Sequence, residues 1–117
     1  MALIIKFANN VTQEYINAIE TEEYYAGSSR RTLTFTIDPS KCNIQDLSDE
    51  CTEANCATLE LFNTAEQVTN IYEGYVLKLF VGIESRQVSD GVYEEVVILK
   101  LGKRTYIEQR LHELGIL

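Results

Sequence analysis

Two apolar runs, Tyr75–Ile83 and Val92–Leu101, flank the triplet Ser89-Asp90-Gly91. Asp-Gly between β-rich runs is the strongest short-range hairpin signal, so the pattern predicts a long β-hairpin at the centre of the fold. In its first arm Tyr75, Leu77, Leu79, Val81 and Ile83 alternate with Lys78, Phe80, Gly82 and Glu84, which directs one face to a core. The second arm is apolar on both faces at Val96, Val97, Ile98 and Leu99. That pattern belongs to a central strand covered on both sides, or to one touching a second protein. Tyr93, Val96, Val97, Ile98 and Leu99 are therefore the candidate interface residues.

The rest of the chain reads as short runs between turns. Ala2–Phe7 is an expected strand, closed by Asn9-Asn10. Val11–Tyr25 admits two readings. Val11, Tyr15 and Ile19 recur at helical spacing behind a weak Asn10/Gln13 capping box. Tyr15, Asn17 and Ile19 also alternate, and Thr12, Tyr15, Ile16, Tyr24 and Tyr25 favour strands, so strand is preferred. After the loop Ala26-Gly27-Ser28-Ser29, the run Arg31–Ile37 points Leu33, Phe35 and Ile37 inward and Thr32, Thr34 and Thr36 outward. Asp38-Pro39 ends that strand, because proline removes a ladder donor and restricts the residue before it.

Ser40 or Asn43 then caps a short helix through about Cys51, with Ile44 and Leu47 on one side; such a helix is marginal unless it packs on the sheet. Ala57–Phe62 is a strand with Leu59 and Leu61 on one face, Asn63–Gln67 a polar turn, and Val68–Tyr72 a further strand leading to a bulge or bend at Gly74. Thr105-Tyr-Ile-Glu108 is a capping box opening a helix to Leu114, with Gly115 as its stop. The helix's apolar stripe, Ile107, Leu111 and Leu114, needs a partner, so it is expected to plug an open end or cover the sheet. The predicted class is mainly β (α+β): an antiparallel β-barrel or compact sandwich with one short helix and a C-terminal capping helix, in a single domain, 1–117.

Composition narrows the function more than it names one. A chain of 117 residues with 45% apolar and 24% charged residues buries one modest core without a metal or disulfides. A net charge of −8 argues against nucleic acid, which draws on clustered Lys and Arg; Arg30-Arg31 and Lys103-Arg104 are the only adjacent basic pairs and read as solvated strand ends. Cys42, Cys51 and Cys56 form no Cys-x-x-Cys pair, which suits free thiols in a reducing compartment. His112 stands far along the chain from the thiols, so no metal site is read, and no cofactor site either, since no phosphate-binding glycine motif occurs. His112 falls on the exposed side of its helix, and Glu94-Glu95 and Glu22-Glu23 point to opposite faces of their strands, so no catalytic set is expected and the protein reads as no enzyme. The start of the chain lacks a signal peptide's charged and apolar regions, no run is long enough for a membrane span, and Asn10-Val-Thr12 is a chance sequon; a cytoplasmic protein is expected. The acidic cluster Glu14, Glu20, Glu22 and Glu23 lacks calcium-loop spacing and reads as a solvated face. Seven tyrosines without tryptophan suggest contact surface.

Three segments carry a resemblance. Ala26-Gly-Ser-Ser-Arg-Arg-Thr-Leu-Thr-Phe35, Leu79-Phe-Val-Gly-Ile83 and the ending Leu99-Lys-Leu-Gly-Lys-Arg-Thr-Tyr-Ile-Glu-Gln-Arg-Leu111 resemble parts of the small β-domains of bacteriophage and prophage tail proteins, including those that open baseplate-hub and tail-associated proteins. The chain departs from the hub pattern by stopping after one domain and ending in a helix. The resemblance thus implies a small non-enzymatic structural or adaptor component, cytoplasmic before assembly and then part of a tail particle. Its partners would be other tail-like structural proteins or copies of itself, with no nucleic acid and no membrane. The alternative is a small-ligand-binding β-barrel with an interior lined from Tyr75, Leu77 and Leu79.

Overall fold

A computed structural model describes residues 2–65 and 67–116. Among these residues lie eight strands: β1 (Leu3–Lys6), β2 (Thr12–Tyr15), β3 (Asn17–Tyr25), β4 (Ser28–Ile37), β5 (Thr58–Asn63), β6 (Val68–Glu73), β7 (Leu77–Ser89) and β8 (Val92–Gly102). Two α-helices, α1 (Ile44–Glu50) and α2 (Tyr106–Glu113), and a 3₁₀ turn at Pro39–Lys41 complete the chain. The strands form two antiparallel four-stranded sheets, β2-β1-β5-β6 and β3-β4-β8-β7. The fold is therefore mainly β, and of the two expected architectures it is the sandwich. Ile5, Phe7, Leu59 and Leu61 from the first sheet and its ends meet Leu33, Phe35, Ile37, Val97, Leu99 and Leu101 from the second in one core. Each such side chain contributes about 1.5–3 kcal/mol when buried.

The ambiguous segment Val11–Tyr25 is strand, in two pieces. Ile16 breaks it, and its N–H donates to the Thr36 carbonyl at 2.7 Å, so one nearly continuous stretch passes from the first sheet to the second. The next turn is tighter than the expected loop. Ala26 and Gly27 alone make it, both at positive φ (52° and 83°), while Ser28 and Ser29 already belong to β4. Leu33, Phe35 and Ile37 are fully buried as the alternation requires. Thr32 lies on the opposite face, yet it is also buried, because its hydroxyl donates to Glu23 Oε2 at 2.6 Å within a polar layer described below. The polar turn 63–67 is described except for Glu66.

The first hairpin arm departs from strict alternation at one residue. Leu77 pairs with Gly102 and Lys78 with Leu101, but Phe80 pairs with Lys100, which leaves Leu79 as an extra bulge residue. A bulge reverses the faces of everything on one side of it. Lys78 therefore turns to the core side, where its ammonium donates to the Ser48 carbonyl and hydroxyl, both at 3.0 Å. A cation on the last turn of α1 adds a second donor to a carbonyl that takes only the C-cap Cys51 N–H, at 3.3 Å, and complements the helix dipole. At the other end of α1, Asn43 accepts from the Asp46 N–H at 3.1 Å, and Leu47 buries into the core. A helix this short holds because both ends are tied and one face is covered.

Helix α2 forms where its capping box predicts. Thr105 accepts from the Glu108 N–H at 3.2 Å, Glu108 accepts from the Thr105 N–H at 2.8 Å, and Gly115 follows at φ +75°. Its packing differs from expectation. Ile107 and Leu114 are 69% and 66% exposed, Leu111 is half-buried, and no residue of the helix is buried. The apolar stripe does not cover the core; polar ties hold the helix instead.

Candidate docking surface

The central hairpin is longer than the sandwich that supports it. β4 accompanies β8 only from Val97 to Gly102, so the segments Glu84–Ser89 and Val92–Val96 pair with each other alone. Every residue from Ile83 to Glu95 is exposed. The molecule measures 49 × 34 × 24 Å with a radius of gyration of 15.0 Å. A compact chain of this length would have about 13 Å, so the arm is a projection. Its exposed apolar side chains are Ile83, Val88, Val92 and Tyr93. Its charges are Glu84, Arg86, Asp90, Glu94 and Glu95, with Arg86 Nη2 on Glu94 Oε1 at 2.6 Å across the strand pair.

Of the five candidate interface residues, only Tyr93 is exposed, at 63%. Val97 and Leu99 are wholly buried in the core, and Val96 and Ile98 retain 3% and 9% exposure on the opposite face. A strand that is apolar on both faces is here a central strand covered on both sides. Gly82 lies opposite Ile98 and leaves room for the Phe80 ring to fold over it, since a Cβ at position 82 would come within 2.8 Å of that ring. The 3₁₀ turn at Pro39–Lys41 packs against β8 beyond the end of β4. The surface left free lies further out on the same hairpin.

Sequence reasoning also missed a buried arginine. Arg30, 2% exposed on the outer face of the second sheet, donates from Nε to the Tyr25 carbonyl (2.8 Å) and from Nη1 to the Lys103 carbonyl (2.9 Å). Nη1 and Nη2 also reach the two oxygens of Glu108 at 2.6 and 2.9 Å, a fork on a carboxylate. These bonds, followed by that from the Thr105 N–H, hold the Glu108 carboxyl down at about 2. The same residue thus caps α2 and anchors it to the sheet. Glu53 further ties the helix to the body, taking Arg104 just before its start at 2.8 Å and His112 in its last turn at 3.3 Å. Beside Arg30, Glu23 receives Thr32 and then Lys100 Nζ at 3.0 Å, and these bonds lower its carboxyl; Lys100 in turn lies over the Tyr25 ring.

Inside the sandwich, the fully buried Tyr75 donates its hydroxyl to Glu20, which also takes Arg31 at 2.8 Å. Burial and then this bond push the Tyr75 phenol up, while the bond from Tyr75 leads the downward shift of Glu20. Both groups move away from neutral pH, so the cluster fixes its protonation states and acts as a structural tie. Cys51 and Cys56 are buried free thiols, and the neighbouring Cys51 thiol followed by burial pushes Cys56 up. Among the described residues no group of three His, Cys, Asp or Glu side chains is placed to hold a metal. No described helix is long and apolar enough to cross a membrane.

Uncovered apolar residues also lie elsewhere, among them Val11, Ile16, Ile19 and Tyr24 along the β2–β3 stretch. Val68 and Ile71 of edge strand β6 are 54% and 58% exposed on the outer face of the first sheet, and the α2 stripe continues into the exposed Ile116. The best formed clefts have volumes of about 180 to 280 Å³, against the roughly 300–1,000 Å³ of ligand sites, and none is lined by Tyr75, Leu77 or Leu79. No protein-family model, curated protein or solved structure matches the chain.

Proposed function

We propose that this chain is a non-enzymatic structural or adaptor component of a phage- or prophage-tail-like assembly, acting through protein–protein contacts of its β-surface. The observation that carries this reading is the hairpin arm, Ile83–Glu95, which leaves the sandwich and presents Ile83, Val88, Val92 and Tyr93 to solvent. A projection of this kind adds nothing to the core. Its apolar tip and unpaired backbone edge are the features by which a β-protein recognises another. The chain would be cytoplasmic before assembly and part of the particle afterwards.

Charge supports a protein partner over nucleic acid. Among the described residues, seven of the ten Lys and Arg side chains, namely Arg30, Arg31, Lys41, Arg86, Lys100, Arg104 and Arg110, already lie within 4.0 Å of a carboxylate of their own chain. The alternative, a small-ligand-binding barrel, has less support, because Tyr75 and Leu99 fill the interior such a ligand would need. Native mass spectrometry of the protein, alone and co-expressed with the products of its neighbouring genes, tests the proposal. A defined complex with one of those products supports it. A co-purifying small molecule on a solitary chain favours the alternative.

A further inference from the structure

Among the described residues strand β7 is a sheet edge with no partner on its outer side, and its thirteen residues contain no proline. Soluble proteins protect long edges by shortening them, bulging them or placing proline and lysine there. Here the bulges fall near the two ends, at Leu79 and Val88, and the stretch between them is regular. Within that stretch Glu84 and Arg86 lie on one face, two residues apart, with Ser85 between them on the other.

This spacing is self-complementary. When two copies of one strand pair antiparallel about a two-fold axis, residues equidistant from the axis stand opposite each other. Centring on Ser85 places Glu84 opposite Arg86 of the second copy, and Arg86 opposite its Glu84. Moving the centre one residue either way sets Glu84 against Glu84 or Arg86 against Arg86, and like charges directly opposite are destabilising. The centred register also continues a charge row already present, because Arg86 holds Glu94 on β8 at 2.6 Å. Each arginine would then lie between two carboxylates. Ile83, 51% exposed on the other face, would gain cover from Gln87 of the second copy.

Resting on the reading of the β-surface as the docking surface, we propose that a second copy of this chain is an occupant of the β7 edge. The two chains pair antiparallel about Ser85 and join their four-stranded sheets into one of eight strands. The net charge of −8 on each copy resists association, but at physiological salt this is screened beyond about 8 Å, whereas the Glu84–Arg86 contacts are local.

Sedimentation velocity of the full chain across a concentration series tests the pairing with charge-swap variants. Wild type is expected to pass from monomer to dimer as concentration rises. Glu84→Arg sets Arg against Arg, and Arg86→Glu sets Glu against Glu, so each variant alone is expected to lose the dimer. An equimolar mixture of the two places Arg against Glu at both positions and is expected to recover it, which a misfolded variant could not do. Wild type that stays monomeric up to millimolar concentration overturns the proposal. So does a dimer that both variants retain, or a mixture that remains monomeric. Each of these results leaves the docking reading to its own test, since a complex with a neighbouring gene product is scored separately.

Discussion

Arg30 is the side chain whose loss should cost the fold most for its size. Replacing it by alanine leaves Glu108 without its fork and removes donors from the Tyr25, Lys103 and Ala26 carbonyls. Breaking a buried ion pair from one side costs roughly 3–5 kcal/mol. The Glu108 side chain is 25% exposed and partly rehydrates, so the lower end, about 3 kcal/mol, is expected. With an unfolding entropy near 2.1 cal/mol/K per residue over 117 residues, that lowers Tm by about 12 °C. Glu108→Gln keeps an acceptor and should fall between this variant and wild type. Arg110→Ala is the control, since Arg110 meets Glu113 at 3.6 Å with both side chains half exposed. It should cost less than about 1 kcal/mol. Differential scanning calorimetry gives the shifts, and amide exchange should show α2 opening in Arg30→Ala. An Arg30→Ala chain melting within about 3 °C of wild type would refute the claim that polar ties, in place of apolar packing, hold the helix.

The same pair sets a pH dependence. Glu108 stays ionised down to about 2 when folded but protonates near 4.5 when unfolded, so its contribution is complete above pH 4.5 and disappears as pH falls towards 2; urea midpoints should show that slope, reduced in Arg30→Ala. At the alkaline end, Tyr75 and Tyr15 are raised above 10.0 in the fold, so their contribution is complete below pH 10 and is lost as pH climbs past it; Tyr75→Phe should flatten an alkaline melting series and leave an acid one steep. Ala26 occupies positive φ, which costs a residue with a Cβ about 1 kcal/mol, so Ala26→Asn should raise Tm by a few degrees. Gly82→Ala would displace the Phe80 ring, which a lower Tm and increased binding of an apolar dye would report.

The sequence pattern disclosed the elements better than it disclosed their surroundings. Alternation at Leu33, Phe35 and Ile37, the Thr105/Glu108 capping box and the Asn43 cap each depend on residues a few positions apart, and each appears in the fold. The β-branched and aromatic residues of Val11–Tyr25 rightly outweighed its helical spacing. Failures came where a distant residue decides. The Leu79 bulge is visible only against β8, and without it Leu77 and Lys78 sit on the wrong faces. Arg30 read as a solvated strand end because its partner, Glu108, lies seventy-eight positions away. The α2 stripe was expected to need the core, yet the core is complete without it. Val96–Leu99 showed two apolar faces, and pattern alone could not separate a second protein from the chain's own residues as the cover. Tyr93 was the one interface residue legible from sequence that the fold leaves exposed.

The docking role of the arm is tested most directly by placing aspartates at Val88, Val92 and Tyr93 in one chain and co-purifying it with the products of its neighbouring genes. These side chains are 52%, 51% and 63% exposed and lie outside the core, so Tm should hold while the complex formed by the wild-type chain is lost. A complex that survives the three aspartates, or a wild-type chain that binds neither itself nor any neighbouring gene product, would contradict the proposal that this protein works by docking its projecting β-hairpin.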